Sequence, residues 1–396
     1  MGPIAYGINP DLLKWAREKC GFTMELISRR LNKSMEELRG IEKGDLSITL
    51  AQLRKLAGYY KRPTSFFYLS KIPEERELPD FRIKRKVPIP QRSDESLHIK
   101  IRKFHEKKKN AEFLARKLDY NDIRYDFIKN IDVVNDLDAY QKIRDLFGID
   151  NSELQSLKDY DVLNYWKDKL EEKNILIFQF TNIGVDVTSG FVFTELPFPL
   201  IAINQKDSYY ARVFTLIHEF CHILLKKDAL CKTDVLDENS REIETICNRV
   251  SASVLVPEDE LKSTLKKIET MDMKEAIKEL SDYFKVSYSV ILYRLKAFNL
   301  ISQSDFMQNE RWIEDIQERN RNRNRSRVSG PSRMDYYVVY FASNSTKYLT
   351  MVFESLNKVK ISYYEAMKFV GKNSSDKFEN LHEKYVEKYI YGGSIA

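Results

Sequence analysis

The sequence predicts a mainly α-helical protein with one small β-sheet, an α+β chain built in several parts. Three observations predict it. Apolar residues recur every three or four positions through most of the 396 residues. Between residues 175 and 204 that period gives way to three short runs, "ILIFQF", "SGFVFTE" and "PLIAIN", separated by Gly, Pro and Asn. The chain is also too long for one ordinary core, at roughly 100–200 residues per domain.

Composition narrows the class. With 43% hydrophobic, 12% aromatic and 31% charged residues the chain can bury a core, which excludes a wholly disordered protein. No apolar run approaches the ~18 residues that span a bilayer. The opening MGPIAYGINP lacks the basic start and apolar centre of a signal peptide, and Tyr6 stands where a myristoylation signal needs Ser or Thr. A cytoplasmic protein without a membrane partner is expected. Cys20, Cys221, Cys231 and Cys247 show no paired spacing, so reduced thiols are expected as well. A net charge of +6 permits nucleic-acid contact without requiring it.

The first 72 residues read as short, well-punctuated helices. Asn9-Pro10 opens one that closes at Gly21, and Thr23 caps "MELISRRL". Asn32-Lys33-Ser34 then turns the chain into "MEELRGIEKG", and Thr49 starts "LAQLRKLAGYY". The tight middle turn is what a helix-turn-helix needs. Residues 9–70 resemble the Xre/Cro-type helix-turn-helix family. Arg29, Arg30, Lys33, Ser34 and Arg39 are the candidate contacts, to DNA or to a protein partner. Glu36 and Glu37 at the start of the second helix face the wrong way electrostatically for phosphate.

Residues 73–95 are rich in proline and charge and read as a linker. A helical stretch follows from 96, then the three strands, then two helices at 208–226 and 239–255, the second stopped by Pro257. Residues 258–318 contain a helix, a turn at Val286-Ser287 and another helix, a second motif of helix-turn-helix type. Residues 319–333, "RNRNRNRSRVSGPSR", read as a flexible linker with a charge block open to nucleic acid, and 334–396 as a helical appendage.

The chemistry concentrates in "FTLIHEFCHILLKK", residues 214–227. On a helix, His218 and His222 share one face, so both imidazoles can point at one divalent ion. Strongly apolar flanks make two rings and a carboxylate costly there unless something satisfies them. A catalytic site needs a third protein ligand and an open position. Of Glu238, Glu242 and Glu244 on the next helix, Glu244 shares the face of Cys247, which packs toward the motif helix. Glu219 lies beside the ion, as a general base for water would. Tyr209, Tyr210 and Asn204 are candidates for stabilising an oxyanion by position alone. Cys221 and Cys247 beside the ligands are either redox-sensitive or simple apolar filler.

"ARVFTLIHEFCHILL" followed by "IETICNRVSASVLVP" resembles the ImmA/IrrE metallopeptidase family, and "SGFVFTELPFPLIAINQ" and "ELPDFR" are similar to its strands and strap. The resemblance covers about residues 165–300 and implies a zincin-like domain, here 96–257, with a three-stranded sheet and an HExxH helix. It implies His218, His222 and Glu244 as ligands of zinc, with manganese as the other candidate, and Glu219 as the base. It further implies a protein substrate, a helix-turn-helix repressor or antitoxin whose cleavage relieves repression in a mobile-element or stress response. The competing reading is a non-catalytic regulator with a structural or sensory metal, closed by a fourth ligand such as Cys247 or Asp237. An oligomer is compatible with either.

Overall fold

The computed structural model describes residues 2–73, 97–185, 187–225, 238–268, 270–326 and 335–392. The expected linker 73–95 lies, but for residue 73, outside the described residues, as do Cys231 and Asp237. The chain divides into two compact units, Met1–Lys107 with Phe180–Thr188 and Lys108–Gln179 with Ser189–Ala396. No helix of the described residues is long and apolar enough to cross a membrane.

In the first unit, α1 (Pro10–Lys19) starts behind Asn9, whose side chain accepts from the Asp11 N–H. Helix α2 (Met24–Leu31) is capped by the Thr23 hydroxyl and stops at Asn32, which adopts the left-handed conformation at φ 55°. Two residues later α3 (Met35–Lys43) begins with a capping box: Ser34 Oγ accepts from Glu37 N at 3.0 Å, and Glu37 Oε2 accepts from Ser34 N at 2.8 Å. Stop and start signals this close force the tight turn. Helix α4 (Leu50–Tyr60) opens with a second capping box, Thr49 with Gln52. The four helices close over Leu12, Leu13, Ile27, Leu38, Ile41, Leu53, Leu56 and Tyr60. Beneath them lies a buried bidentate pair, Arg17 Nε to Glu42 Oε1 at 2.7 Å and Nη2 to Oε2 at 2.9 Å.

Helix α5 (Leu97–Lys117) precedes the short helices α6 (Phe127–Asn130), α7 (Ala139–Phe147) and α8 (Asn151–Ser156) and the longer α9 (Asp159–Glu172). Strands β1 (Leu176–Phe180), β2 (Gly190–Phe193) and β3 (Leu200–Asn204) form a mixed sheet in the order β1-β3-β2. Strand β2 pairs antiparallel with β3, Gly190 opposite Ile203 and Phe193 opposite Leu200. Every residue of β1 and β3 is buried, whereas β2 alternates, as expected of a covered sheet with a less covered edge.

Helix α10 (Tyr209–Leu225) packs on this sheet, on α9 and on α11 (Glu238–Leu255). It carries Val213, Leu216, Ile217, Phe220 and Leu224 into the main core of the second unit. Helices α12 (Glu258–Lys267), α13 (Met273–Phe284), α14 (Tyr288–Ala297) and α15 (Gln303–Ser326) follow. Lys285 in the left-handed conformation and Ser287 as N-cap make the tight turn between α13 and α14. One expectation fails here: the flexible linker does not begin at 319, because α15 stays helical to Ser326. Arginine is a good helix former and favours continuation of an established helix; residues 327–333 lie outside the described residues.

The appendage comprises α16 (Tyr336–Ser343), α17 (Thr346–Asn357), α18 (Tyr363–Phe369) and α19 (Ser375–Tyr389). Buried polar groups attach it: Ala342 O accepts from Lys167 Nζ at 3.0 Å and from Gln179 Nε2 at 2.6 Å. At the start of α17, Lys347 N donates to Glu171 Oε2 at 3.1 Å. Burial outweighs this donor and the nearby Lys167, and raises the Glu171 carboxyl to about 7. A raised folded-state value means that the group adds stability fully below about pH 4.5, and that this is lost as pH climbs through about 7. The lost contribution is on the order of 3 kcal/mol. Glu171→Gln should therefore flatten the decline of melting temperature between pH 5 and 8; equal slopes in thermal scans of the two proteins would refute the assignment.

Candidate metal centre

The site forms where α10 and α11 lie side by side. His218 and His222, one turn apart on α10, present their Nε2 atoms 3.2 Å from each other. Glu244, in the second turn of α11, reaches between them, Oε2 at 3.2 Å from His218 Nε2 and Oε1 at 3.3 Å from His222 Nε2. Glu244 is buried while Glu242 is exposed, so the helix phase selects the first and turns away the second. One ligand atom from each of the three residues lies within 4.8 Å of the others, and among the described residues no further His, Cys, Asp or Glu joins the group.

The donor set fits a divalent cation. Two ring nitrogens facing each other at 3.2 Å cannot both donate to one another, whereas a divalent cation held between them would accept both lone pairs. Two imidazoles and one carboxylate suit zinc and also other first-row ions. On the far side of its ring, His222 Nδ1 lies 3.8 Å from Cys247 Sγ. The sulfur therefore sits against the nitrogen that faces away from the cluster. Cys221 is fully buried, its Sγ 3.6 Å from Ser251 Oγ, and burial pushes its thiol up to about 12; it behaves as small apolar filler between the two helices.

Glu219 is half-buried, next in sequence to His218 and outside the convergent trio. The tyrosines of the oxyanion expectation are not brought to the cluster. Tyr209 and Tyr210 start α10, about 12–14 Å along its axis from His218. The Tyr210 hydroxyl donates to Asp159 Oδ1 at 2.7 Å, and Tyr209 stacks edge-on with Tyr160 and under the Arg212 guanidinium. Both belong to the contact with α9. Asn204 is buried at the end of β3 and its Oδ1 accepts from Lys206 N.

Two supports were not read from the sequence. A Cβ on Gly190 would meet Thr215 Cγ2 of α10 at 2.7 Å and Ala202 O at 2.9 Å. Only glycine lets β2 lie this close to α10, and the glycine inside a strand pattern was the available signal. Gly190→Ala should cost about 1–3 kcal/mol, read as a lower melting temperature with unchanged helix content by circular dichroism. The second support is at the C-terminal end of α11, where two buried arginines cap it. Arg144 Nη1 donates to Val254 O at 2.7 Å, and Arg294 Nε and Nη2 donate to Val256 O at 3.0 and 2.8 Å. Burial lowers Arg294 to about 10, so it stays charged against the negative end of the helix dipole.

In the helix-turn-helix the predicted contacts are largely engaged within the domain. Arg29 pairs with Glu25 at 2.5 Å and Lys33 with Glu37 at 2.8 Å. The Arg30 guanidinium lies over Phe22 and Tyr59, 5.3 and 4.9 Å from the ring centroids. Ser34 is occupied as an N-cap, and Arg39 is exposed on α3.

Two known protein families match parts of the chain. Residues 170–296 match the Peptidase M78 family model, described as the IrrE N-terminal-like domain, and residues 13–67 match the helix-turn-helix model. No curated protein matches the chain.

Proposed function

We propose that this chain, an ImmA/IrrE-type protein with an N-terminal Xre-type helix-turn-helix, is a metal-dependent endopeptidase. The observation that carries the reading is the convergence of His218, His222 and Glu244 with Glu219 next in sequence but outside the trio. Two histidines and one carboxylate from the protein are the ligand set of catalytic zinc sites that keep a position open. The competing closed site finds no support, since Cys247 lies behind His222; Asp237 is outside the described residues.

In this reading His218 and His222 hold the cation, zinc or manganese, through Nε2, and Glu244 completes the protein ligands. A bound cation would supply Lewis acidity at this site. Cys247 Sγ accepts from His222 Nδ1–H and so fixes the tautomer that leaves Nε2 for the ion. Glu219 accepts a proton from the attacking water and passes it to the amide nitrogen as the peptide bond breaks. The substrate is a protein, and we read it as a helix-turn-helix repressor or antitoxin, on the family resemblance and on the helix-turn-helix carried by the same chain.

Elemental analysis beside a cleavage assay tests the reading. Purified wild type should carry about one metal per chain, and His218→Ala and Glu244→Gln much less. Wild type should also cut one of the helix-turn-helix proteins encoded beside it. Equal metal in all three proteins would remove the site from these residues.

A further inference from the structure

Helix α15 is divided by charge. Residues 303–318 hold five acidic groups (Asp305, Glu310, Glu314, Asp315, Glu318) and one basic group, Arg311, a net charge of −4. Residues 319–326, "RNRNRNRS", hold Arg319, Arg321, Arg323 and Arg325 with no acidic residue, a net charge of +4.

The two parts also differ in what holds them. The acidic part is fastened to α13 and α14. Tyr288 stacks on Trp312 with ring centroids 5.6 Å apart, and Phe306 meets Tyr293 edge-on at 5.3 Å. The Tyr293 hydroxyl donates to Glu310 Oε1 at 3.0 Å, and Gln317 Nε2 donates to Ser289 Oγ at 3.3 Å. Lys274 and Lys278 of α13 lie over the Trp312 ring, each 5.8 Å from its centroid. Ile313 and Ile316 are the last apolar residues of the helix, which continues for about 15 Å beyond Ile316 to Ser326. An end that is polar on every side has no apolar stripe with which to join a core.

This end also opposes itself. Arg319 with Arg323, and Arg321 with Arg325, stand four residues apart, the spacing at which like charges destabilise a helix. Asp315 precedes Arg319 by four residues and Glu318 precedes Arg321 by three, but no acidic residue stands three or four positions from Arg323 or Arg325. The carbonyl end of the helix dipole offsets part of the repulsion, and an external polyanion offsets more. Guanidinium forks match phosphate oxygens, and the interleaved asparagines bring amide donors of the kind that also bind them. Among phosphate polymers, duplex DNA is the one this chain is equipped to meet, since residues 13–67 match the helix-turn-helix model.

From this we infer that the arginine end of α15, residues 319–326, binds the phosphate backbone of duplex DNA without reading its sequence. It brings four cations to the duplex in addition to those of the helix-turn-helix, and it is independent of the metal centre.

The test uses the full-length protein and a duplex of about 25 base pairs of arbitrary sequence, with binding followed by fluorescence anisotropy between about 50 and 200 mM salt. One variant carries Arg319→Gln, Arg321→Gln, Arg323→Gln and Arg325→Gln together; glutamine favours helix about as well as arginine does. It should lower the slope of log affinity against log salt by about 3 and weaken binding at least about thirtyfold at 100 mM. A second variant with lysine at the same four positions keeps the charge and should restore most of the binding. Unchanged affinity and slope in the glutamine variant overturn the inference, and so does a wild type that fails to bind the duplex at the lowest salt. A loss that lysine does not restore would assign the arginines to holding the helix. Tighter binding of a single-stranded RNA of the same length, lost in the glutamine variant, would make RNA the partner. Either of these results also overturns the inference.

Discussion

Glu219→Gln is expected to lower kcat by about 10²–10⁴, the span that a positioned acid-base group contributes, while metal content, melting temperature and substrate binding stay at wild-type values. Glutamine keeps the size and the hydrogen-bonding reach of the side chain but cannot take a proton. Because Glu219 stands outside the trio of His218, His222 and Glu244, its replacement removes no protein ligand. The separation of the two effects is the informative part. A metal that merely holds α10 to α11 predicts identical behaviour of wild type and Glu219→Gln in every partner's fate. Cleavage time courses run beside elemental analysis of the same preparations distinguish these outcomes.

Glu42→Ala should be the most damaging single change in the first unit. It removes both acceptors of Arg17 Nε and Nη2 and leaves a guanidinium with 10% side-chain exposure facing Phe22 O and Glu18 alone. Breaking one side of a buried ion pair costs about 3–5 kcal/mol, because the partner charge remains desolvated. For a domain of this size that is roughly half of the total stability and lowers its melting temperature by on the order of 15–30 °C. The double change Arg17→Met with Glu42→Leu should recover most of it, since no charge is then left buried. Thermal denaturation of the three proteins measures this, and a double mutant no better than Glu42→Ala would show that the pair contributes more than its own compensation.

What the sequence revealed was local. The capping residues Thr23, Ser34 and Thr49 sit next to the helices they start, and the spacing of His218 to His222 is one helical turn, so both could be read along the chain. Glu244 was legible because helix phase separates it from Glu242 on the same element. The attachment of the appendage was not legible, because Glu171 meets the start of α17 across 176 residues of sequence, and no pattern within either segment announces the other. The tyrosines at 209 and 210 misled for a related reason. Proximity in sequence to the motif placed them on α10, but two turns of rise and the packing of α9 took them elsewhere. Glycine at 190 was visible as a residue, yet its need becomes apparent only against the Thr215 methyl.

The joint between α10 and α11 has contacts beyond the three clustered side chains. Below the ligands it continues through Cys221, Val250, Ser251 and Val254, all buried, and it ends at the carbonyls held by Arg144 and Arg294. Chelation should therefore leave the protein folded, unlike small domains whose folding energy is their metal. If the cation binds as proposed, its free concentration in the surroundings would set the fraction of molecules ready to act. Scarcity of the ion would then work as a reversible brake on an intact population, without the protein having to be destroyed and made again.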